Sequence, residues 1–119
     1  MKVEKVDFVS VLTEDIQRAK RFYGETLGLD IETEGENDME FTLGQVTLDV
    51  FNPASIGQPF TPSSAGIAIR VADVAAARSE LEAKGVEFEG ETRDTGVCHM
   101  AFFKDPDGNQ LILHRRYAD

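Results

Sequence analysis

The sequence predicts an α+β fold made of two βαβββ modules in one chain, forming a cupped sheet of mixed and antiparallel strands with a helix on the outer face of each module. Three observations predict it. Two stretches with helical apolar spacing are each opened by an aspartate and closed by a glycine: Asp15 to Gly28 and Asp73 to Gly85. Short runs rich in β-branched and aromatic residues, separated by turn residues, surround both helices. Finally, the halves repeat with drifting offsets. An offset of 58 takes Asp15 to Asp73, Ile16 to Val74 and Ala19 to Ala77. An offset of 57 takes Gly28 to Gly85, and 63 takes Leu48, Asp49 and Val50 to Leu111, Ile112 and Leu113.

Taken in order, Val6, Phe8, Val9, Val11 and Leu12 form a strand, and Thr13-Glu14-Asp15 caps a helix carrying Ile16, Ala19, Phe22, Tyr23 and Leu27. A strand follows over 29–33. An acidic comb then runs through Asp30, Glu32, Glu34, Glu36, Asp38 and Glu40, every second residue. In an extended chain these share one face. They read as a solvated strand face that protects an edge, or as a patch that steers a cationic ligand. Phe41–Leu43 and Val46–Phe51 make a hairpin around Gly44-Gln45. Residues 52–64 hold three of the four prolines and read as a linker without regular structure. The first module is thus placed at 1–52, the linker at 53–64 and the second module at 65–119.

The second module opens with a strand over 66–71, then the Asp73-capped helix with Val74, Ala77 and Leu81. Val86-Glu87-Phe88 reads as a strand and 89–96 as a polar loop. The stretch 97–114 reads as strand, turn, strand around Asp105-Pro106-Asp107-Gly108-Asn109. Its strands carry His99 and His114, the only histidines.

Composition narrows the functions. The chain has 119 residues, with 12 Lys+Arg against 22 Asp+Glu, a formal net charge of −10. Phosphate backbones and anionic membranes repel such a surface, so neither nucleic acid nor a membrane is an expected partner. Cys98 is the sole cysteine, so no internal disulfide can form. No signal-peptide core and no apolar span of membrane length is present, and a cytoplasmic location is expected. No glycine loop of the phosphate-binding type occurs.

Alternation assigns faces. Val9, Val11, Leu48, Val50, Ile67, Ile69, Leu111 and Leu113 are the apolar set expected to face the helices. The opposite set, expected to line a cup, includes Phe8, Ser10, Thr47, Asp49, Phe51, Ala68, Arg70, Ile112 and His114. In strand 97–103, Met100 and Phe102 are assigned to the helix side, which sends His99, Ala101 and Phe103 into the cup. If Phe102 pairs with Leu111, His99 lies opposite His114, with Cβ atoms about 5 Å apart. With Asp49 nearby, that pair reads either as hydrogen-bonded sheet residues, as ligand contacts, or as a general acid and base or an alternative metal site. Arg70 suits a carboxylate or phosphate, or pairs with Asp49. Phe8, Phe51 and Phe103 offer stacking surface for a planar ligand. Cys98 and His99 fall on opposite faces and make a poor nucleophile pair.

The ordered elements Asp15, Phe22-Tyr23, Leu27-Gly28, Asp73, Lys84-Gly85-Val86 and Asp105-Pro106-Asp107-Gly108-Asn109 resemble the vicinal oxygen chelate superfamily over residues 5–114. That group includes glyoxalase I, bleomycin-resistance proteins, fosfomycin-resistance enzymes and extradiol dioxygenases. The resemblance implies paired βαβββ modules, a U-shaped ligand cup and commonly a homodimer. Its metal-dependent members hold a divalent ion with one residue from each of four strands, often His, Glu, His or Gln, and Glu. Carried onto this sequence, those positions are Phe8, Asp49, Gly66 and Ile112, of which only Asp49 can ligate through its side chain. No metal and no cofactor are therefore expected. The expected function is binding of a small organic molecule by Phe8, Ser10, Asp49, Phe51, Arg70, His99, Phe103, Ile112 and His114. The alternative is a metal-dependent lyase, isomerase or dioxygenase of the same superfamily with a relocated site at His99, His114 and Asp49, in which the two histidines are the catalytic candidates.

Overall fold

The computed structural model describes all residues, 1–119, and the chain divides into two compact units, Met1–Pro62 and Ser63–Asp119. The first contains strand β1 (Phe8–Leu12), helix α1 (Ile16–Lys20), and strands β2 (Ile31–Glu34), β3 (Asp38–Leu43) and β4 (Val46–Phe51). The second repeats the order with β5 (Ile67–Arg70), α2 (Val74–Ala83), β6 (Arg93–Asp94), β7 (Cys98–Lys104) and β8 (Gln110–Arg116). The two sheets have matching topologies, β1-β4-β3-β2 and β5-β8-β7-β6. In each, the first and last strands pair in parallel and the rest form an antiparallel meander. The helix spans the one parallel connection that a tight turn cannot make. No helix is long and apolar enough to cross a membrane.

Local chemistry explains the helix ends. Asp15 and Asp73 are extended N-caps whose carboxylates accept from the backbone N–H of Arg18 and Ala76. Gly28 and Gly85 follow the helices at φ 74° and 93°, a region that costs glycine no steric penalty. The first helix departs from simple α periodicity. From Arg21 to Thr26 it widens into a π-helix, with Leu27 N–H donating to the Phe22 carbonyl. The wider turn directs consecutive Phe22 and Tyr23 into the core together, their rings edge-to-face at 5.1 Å, and Tyr23 also meets Phe41 at 5.8 Å.

Each sheet buries one face. In the first unit Val11, Met39, Phe41, Leu48 and Val50 pack with Ala19, Phe22 and Tyr23. In the second, Ala101, Phe103, Leu111 and Leu113 are buried together with Val74 and Leu81 of α2. Cross-strand register sets Val9 beside Leu48, Ile67 beside Leu111 and Ile69 beside Leu113, so the whole apolar set expected on the helix side shares that face.

Four local expectations are corrected. The acidic comb does not share one face. A bulge between Ile31 and Thr33 and the turn at residues 35–37 re-aim it, so that Glu34 reaches Lys20 on α1 while Glu32 turns to Thr42 and Thr47. Residues 53–56, within the expected irregular linker, form a 3₁₀ turn capped by Asn52, whose side chain accepts from Ala54 N–H. Residues 86–88 contribute only one bridge, Phe88 to Phe103. The fourth strand of the second sheet is instead Arg93–Asp94, inside the expected loop. Phe88 turns in to stack on Phe103 at 5.0 Å, and Arg78 covers its ring while donating to the Gly90 carbonyl and Thr92 hydroxyl. Those bonds carry the chain away from the sheet until Arg93.

Phe103 is fully buried in this helix-facing layer. Phe103→Ala is therefore expected to lower unfolding free energy by about 3–5 kcal/mol. Urea denaturation monitored by circular dichroism measures it, and a loss below about 1 kcal/mol would contradict a core role.

Candidate ligand-binding faces

Each sheet has a second face, turned away from its helix, and cross-strand pairing assigns its residues. In the first unit it carries Phe8, Ser10 and Leu12 from β1, Thr47, Asp49 and Phe51 from β4, and Asp38, Glu40 and Thr42 from β3. One rung crosses the sheet as Ser10–Asp49–Glu40–Thr33. The Ser10 hydroxyl donates to Asp49 Oδ2 at 2.9 Å and the Thr33 hydroxyl to Glu40 Oε1 at 2.7 Å. Glu32 accepts from Thr47 at 3.0 Å and from Thr42 at 3.1 Å. This is a carboxylate face held in place by hydroxyl donors, with Phe8 at one end and Phe51 at the other.

Burial raises the Asp49 carboxyl above its ordinary value of 3.8, the Ser10 hydrogen bond opposes that rise, and the charges of Asp38 and Glu40 reinforce it. The folded protein therefore holds the Asp49 proton more readily than the unfolded chain does. Stability contributed at this site is greatest in acid and falls as pH rises through the raised value. Asp49→Asn removes that loss. Its melting temperature is expected to exceed the parent's at pH 7, with the gap closing below pH 3.8. Differential scanning calorimetry across pH 3–8 checks this, and a gap that widens in acid would reverse the sign of the argument.

The second unit has a different chemistry on the equivalent face. There the rung Arg70–His114–Met100–Arg93 lies next to the rung Ala68–Ile112–Phe102. The Arg93 guanidinium sits 5.7 Å from the centre of the Phe102 ring. Three basic side chains thus flank an apolar patch of Ile112, Phe102 and Ala68.

This arrangement corrects the register expected for the last hairpin. Phe103, not Phe102, pairs with Leu111; His99 lies opposite Arg115, and His114 opposite Met100. The shift of one residue exchanges the faces of every side chain on β7. Phe102 and Met100 leave the helix side, while His99, Ala101 and Phe103 join it. His99 and His114 consequently point to opposite faces of one sheet and cannot converge on a single ion or substrate. The relocated site at His99, His114 and Asp49 loses the histidine pair on which it depended. No group of three or more His, Cys, Asp or Glu side chains within either unit is arranged to hold a metal ion.

His99 instead belongs to a small cluster that the sequence did not reveal. Its Nε2 lies 3.3 Å from Asp94 Oδ2, its ring stacks on Tyr117 at 4.7 Å, and the Tyr117 hydroxyl donates to Asp94 Oδ1 at 2.6 Å. The tyrosine hydrogen bond, joined by the Gly96 N–H, holds the Asp94 carboxyl below its ordinary value, and Asp94 in turn raises the Tyr117 phenol. In the sequence Asp94 falls in the stretch 89–96, which reads as a loop, and Tyr117 falls past residue 114, so no periodicity signals their contact.

The four strand positions at which the resemblance implies metal ligands are Phe8, Asp49, Gly66 and Ile112. Phe8, Asp49 and Ile112 lie on the faces turned from the helices, and Gly66 immediately precedes β5. Three of the four offer no side-chain donor. At Gly66, where φ is +81°, an added Cβ would sit 3.2 Å from Ile112 Cδ1, so the isoleucine occupies the space a ligating side chain would need. These residues do not fit that ion.

Two βαβββ units with matching topology, each with one face under a helix and one face turned from it, define a class of protein. The chain belongs to the Glyoxalase/Bleomycin resistance protein/Dioxygenase superfamily, whose family model matches residues 5–113. It is 28% identical over 117 residues to the uncharacterized protein YetH of Bacillus subtilis strain 168, covering 93% of this chain and 98% of that one. Among solved structures it is similar to TnmS3, an antibiotic binding protein from Streptomyces sp. CB03234, at 28% identity and a TM-score of 0.80, covering 98% and 99% of the two chains. Lactoylglutathione lyase from Agrobacterium tumefaciens shares the fold at 16% identity, with a TM-score of 0.82 and coverage of 96% and 95%.

Proposed function

We propose that this protein binds a small organic molecule, non-covalently and without a metal ion, on the sheet faces turned away from its helices. The observation that carries the reading is the second unit's face, where Phe102, Ile112 and Ala68 form an apolar platform beside Arg70, His114 and Arg93. A platform of this kind takes a planar ring, and the neighbouring guanidinium and imidazole groups take polar or anionic substituents. On the first unit, Phe8, Ser10, Asp49 and Phe51 form a separate candidate face, aromatic and carboxylate. His99 and Phe103 take no part, because both turn toward the helix side. The similarity to an antibiotic binding protein supports binding as the activity, and the missing donors at Phe8, Gly66 and Ile112 support a metal-free mode.

The same reading includes a homodimer located in the cytoplasm. Val3, Val6, Phe8 and Ile31 are large apolar side chains left more than 40% exposed on the first unit, a surface that association would cover.

Binding is performed by preformed surfaces. The β-sheet fixes Phe102 and Ile112 as neighbours across one pair, so the platform needs no ordering step when a ligand arrives. Arg70 and His114 are neighbours across the next parallel pair and present donors to one side of a ring lying on that platform.

Thermal-shift screening against planar aromatic and anionic compounds tests the proposal. A ligand at about 100 times its Kd should stabilise the fold by about 2.7 kcal/mol. Phe102→Ala and Arg70→Ala should each weaken binding roughly tenfold or more, while Phe103→Ala lowers stability without a selective loss of affinity. Elemental mass spectrometry after soaking in Mn²⁺, Ni²⁺, Zn²⁺ and Fe²⁺ should find no tightly held ion. One retained ion per chain would overturn the metal-free reading.

A further inference from the structure

We infer that the second unit carries an oxyanion site formed by Arg70, Arg115 and Arg116, which takes the carboxylate or phosphate group of a small molecule. Through Arg70 this deepens the ligand reading above and rests on it for the organic part of the ligand. Arg115 and Arg116 are otherwise unassigned.

The three arginines line one cavity of about 310 Å³, together with Tyr117, Ala118 and Asp119. Strand pairing explains their meeting. Arg70 ends β5 opposite His114, and Val71 N–H makes the last bond to the His114 carbonyl. Arg115 and Arg116 are the next two residues of β8, beyond the last β5 partner. Successive β8 side chains point to opposite faces, but past the end of β5 both remain able to border the same space.

The far wall is also built. Tyr117 and Ala118 donate backbone N–H groups to the Val97 carbonyl at 2.9 and 3.2 Å, and Tyr117 is further held by His99 and Asp94. Thus the His99–Asp94–Tyr117 cluster, which lacks a role in the ligand face, fixes one side of this cavity.

Charge gives the strongest argument. Acidic residues outnumber basic ones by 22 to 12, so a cation in this chain has carboxylates to choose from. Five cations elsewhere use them: Lys5 pairs with Asp7, Lys20 with Glu34, Arg78 with Glu82, Lys84 with Glu80 and Lys104 with Glu89, while Arg93 lies over the Phe102 ring. Arg70, Arg115 and Arg116 form no ion pair and no side-chain hydrogen bond, even with Asp119 on the same cavity. Asp94, on the same sheet, is already engaged by Tyr117, Gly96 and His99. Three guanidinium groups thus border the cavity against the one side-chain carboxylate of Asp119, a net positive lining that favours an anion. Guanidinium forks match the oxygens of a carboxylate or phosphate in paired N–H···O contacts.

The test titrates the full-length ¹⁵N-labelled protein with inorganic phosphate and, separately, with acetate at constant ionic strength, following the arginine Nε–Hε signals. Saturable shifts confined to Arg70, Arg115 and Arg116 are expected with either ion, and the tighter ion names the anionic group. The double variant Arg115→Gln/Arg116→Gln should weaken binding roughly tenfold or more. Lys84→Gln, which removes a charge on α2, should leave binding unchanged and so excludes a general charge effect. Shifts that never saturate, that spread evenly over all arginines, or that survive in the double variant would overturn the site. Oxyanion binding without any aromatic ligand on Phe102 and Ile112 would remove the proposed function and leave this site standing. The reverse result would remove this site alone.

Discussion

Asp105 accepts three hydrogen bonds within one turn, from the Asp107 and Asn109 N–H groups and from Asn109 Nδ2, and the second sheet is aligned by them. Both Asp105 and Asn109 are buried, so these bonds form away from competing water. Asn109 Oδ1 then accepts from Ser63 N–H, and Gln110 N–H donates to the Ser63 carbonyl, tying the start of the unit to the same turn. With the turn closed this way, Lys104 and Gln110 are its last partners and Phe103 must meet Leu111. Every later assignment follows. Phe103 enters the core, Phe102 turns to the face away from the helix, and the histidines separate to opposite faces. One residue of slip would reverse all three.

The duplication gives two copies of one backbone on which different chemistry has been placed. The offset of 63 carries Asp49 onto Ile112, and the offset of 58 carries Ser10 onto Ala68 and Phe8 onto Gly66. A hydroxyl-bound carboxylate in the first unit is therefore an isoleucine beside alanine in the second. The helix-facing residues stay apolar in both, as burial demands, whereas the opposite faces differ in chemistry: carboxylates on one, guanidinium groups beside an imidazole on the other.

Much of the fold was legible in the sequence because it rests on strong local signals. Asp15, Gly28, Asp73 and Gly85 bracket the helices through cap chemistry, and the alternation in β1, β4, β5 and β8 marks their buried faces. The assignments of Phe8, Ser10, Asp49, Phe51, Arg70, Ile112 and His114 to the outward faces follow from that alternation. What was not legible depended on register and on bulges, which alternation does not determine. In strand 97–103 apolar residues occupy both faces, so Met100 and Phe102 looked as suitable for the core as Ala101 and Phe103. The bulge at Ile31 and Thr33 split an acidic comb that was regular in sequence. Val86-Glu87-Phe88 read as a strand, but Phe88 packs its ring on Phe103 instead and the strand falls to Arg93 and Asp94. Arg115 and Arg116 lie past residue 114, where the last hairpin reads as ending, and only the end of β5 beside them makes a cavity.

The central claim is that ligand meets the face bearing Phe102, Ile112 and Met100, and not the face bearing Phe103 and Ala101. Methyl NMR of the protein with a bound planar ligand tests it most directly. The account predicts intermolecular contacts and large shifts at the Ile112 δ1 and Met100 ε methyls, with the Ala101 and Leu113 methyls nearly unmoved. Contacts to Ala101 and Leu113, with Ile112 silent, would contradict it.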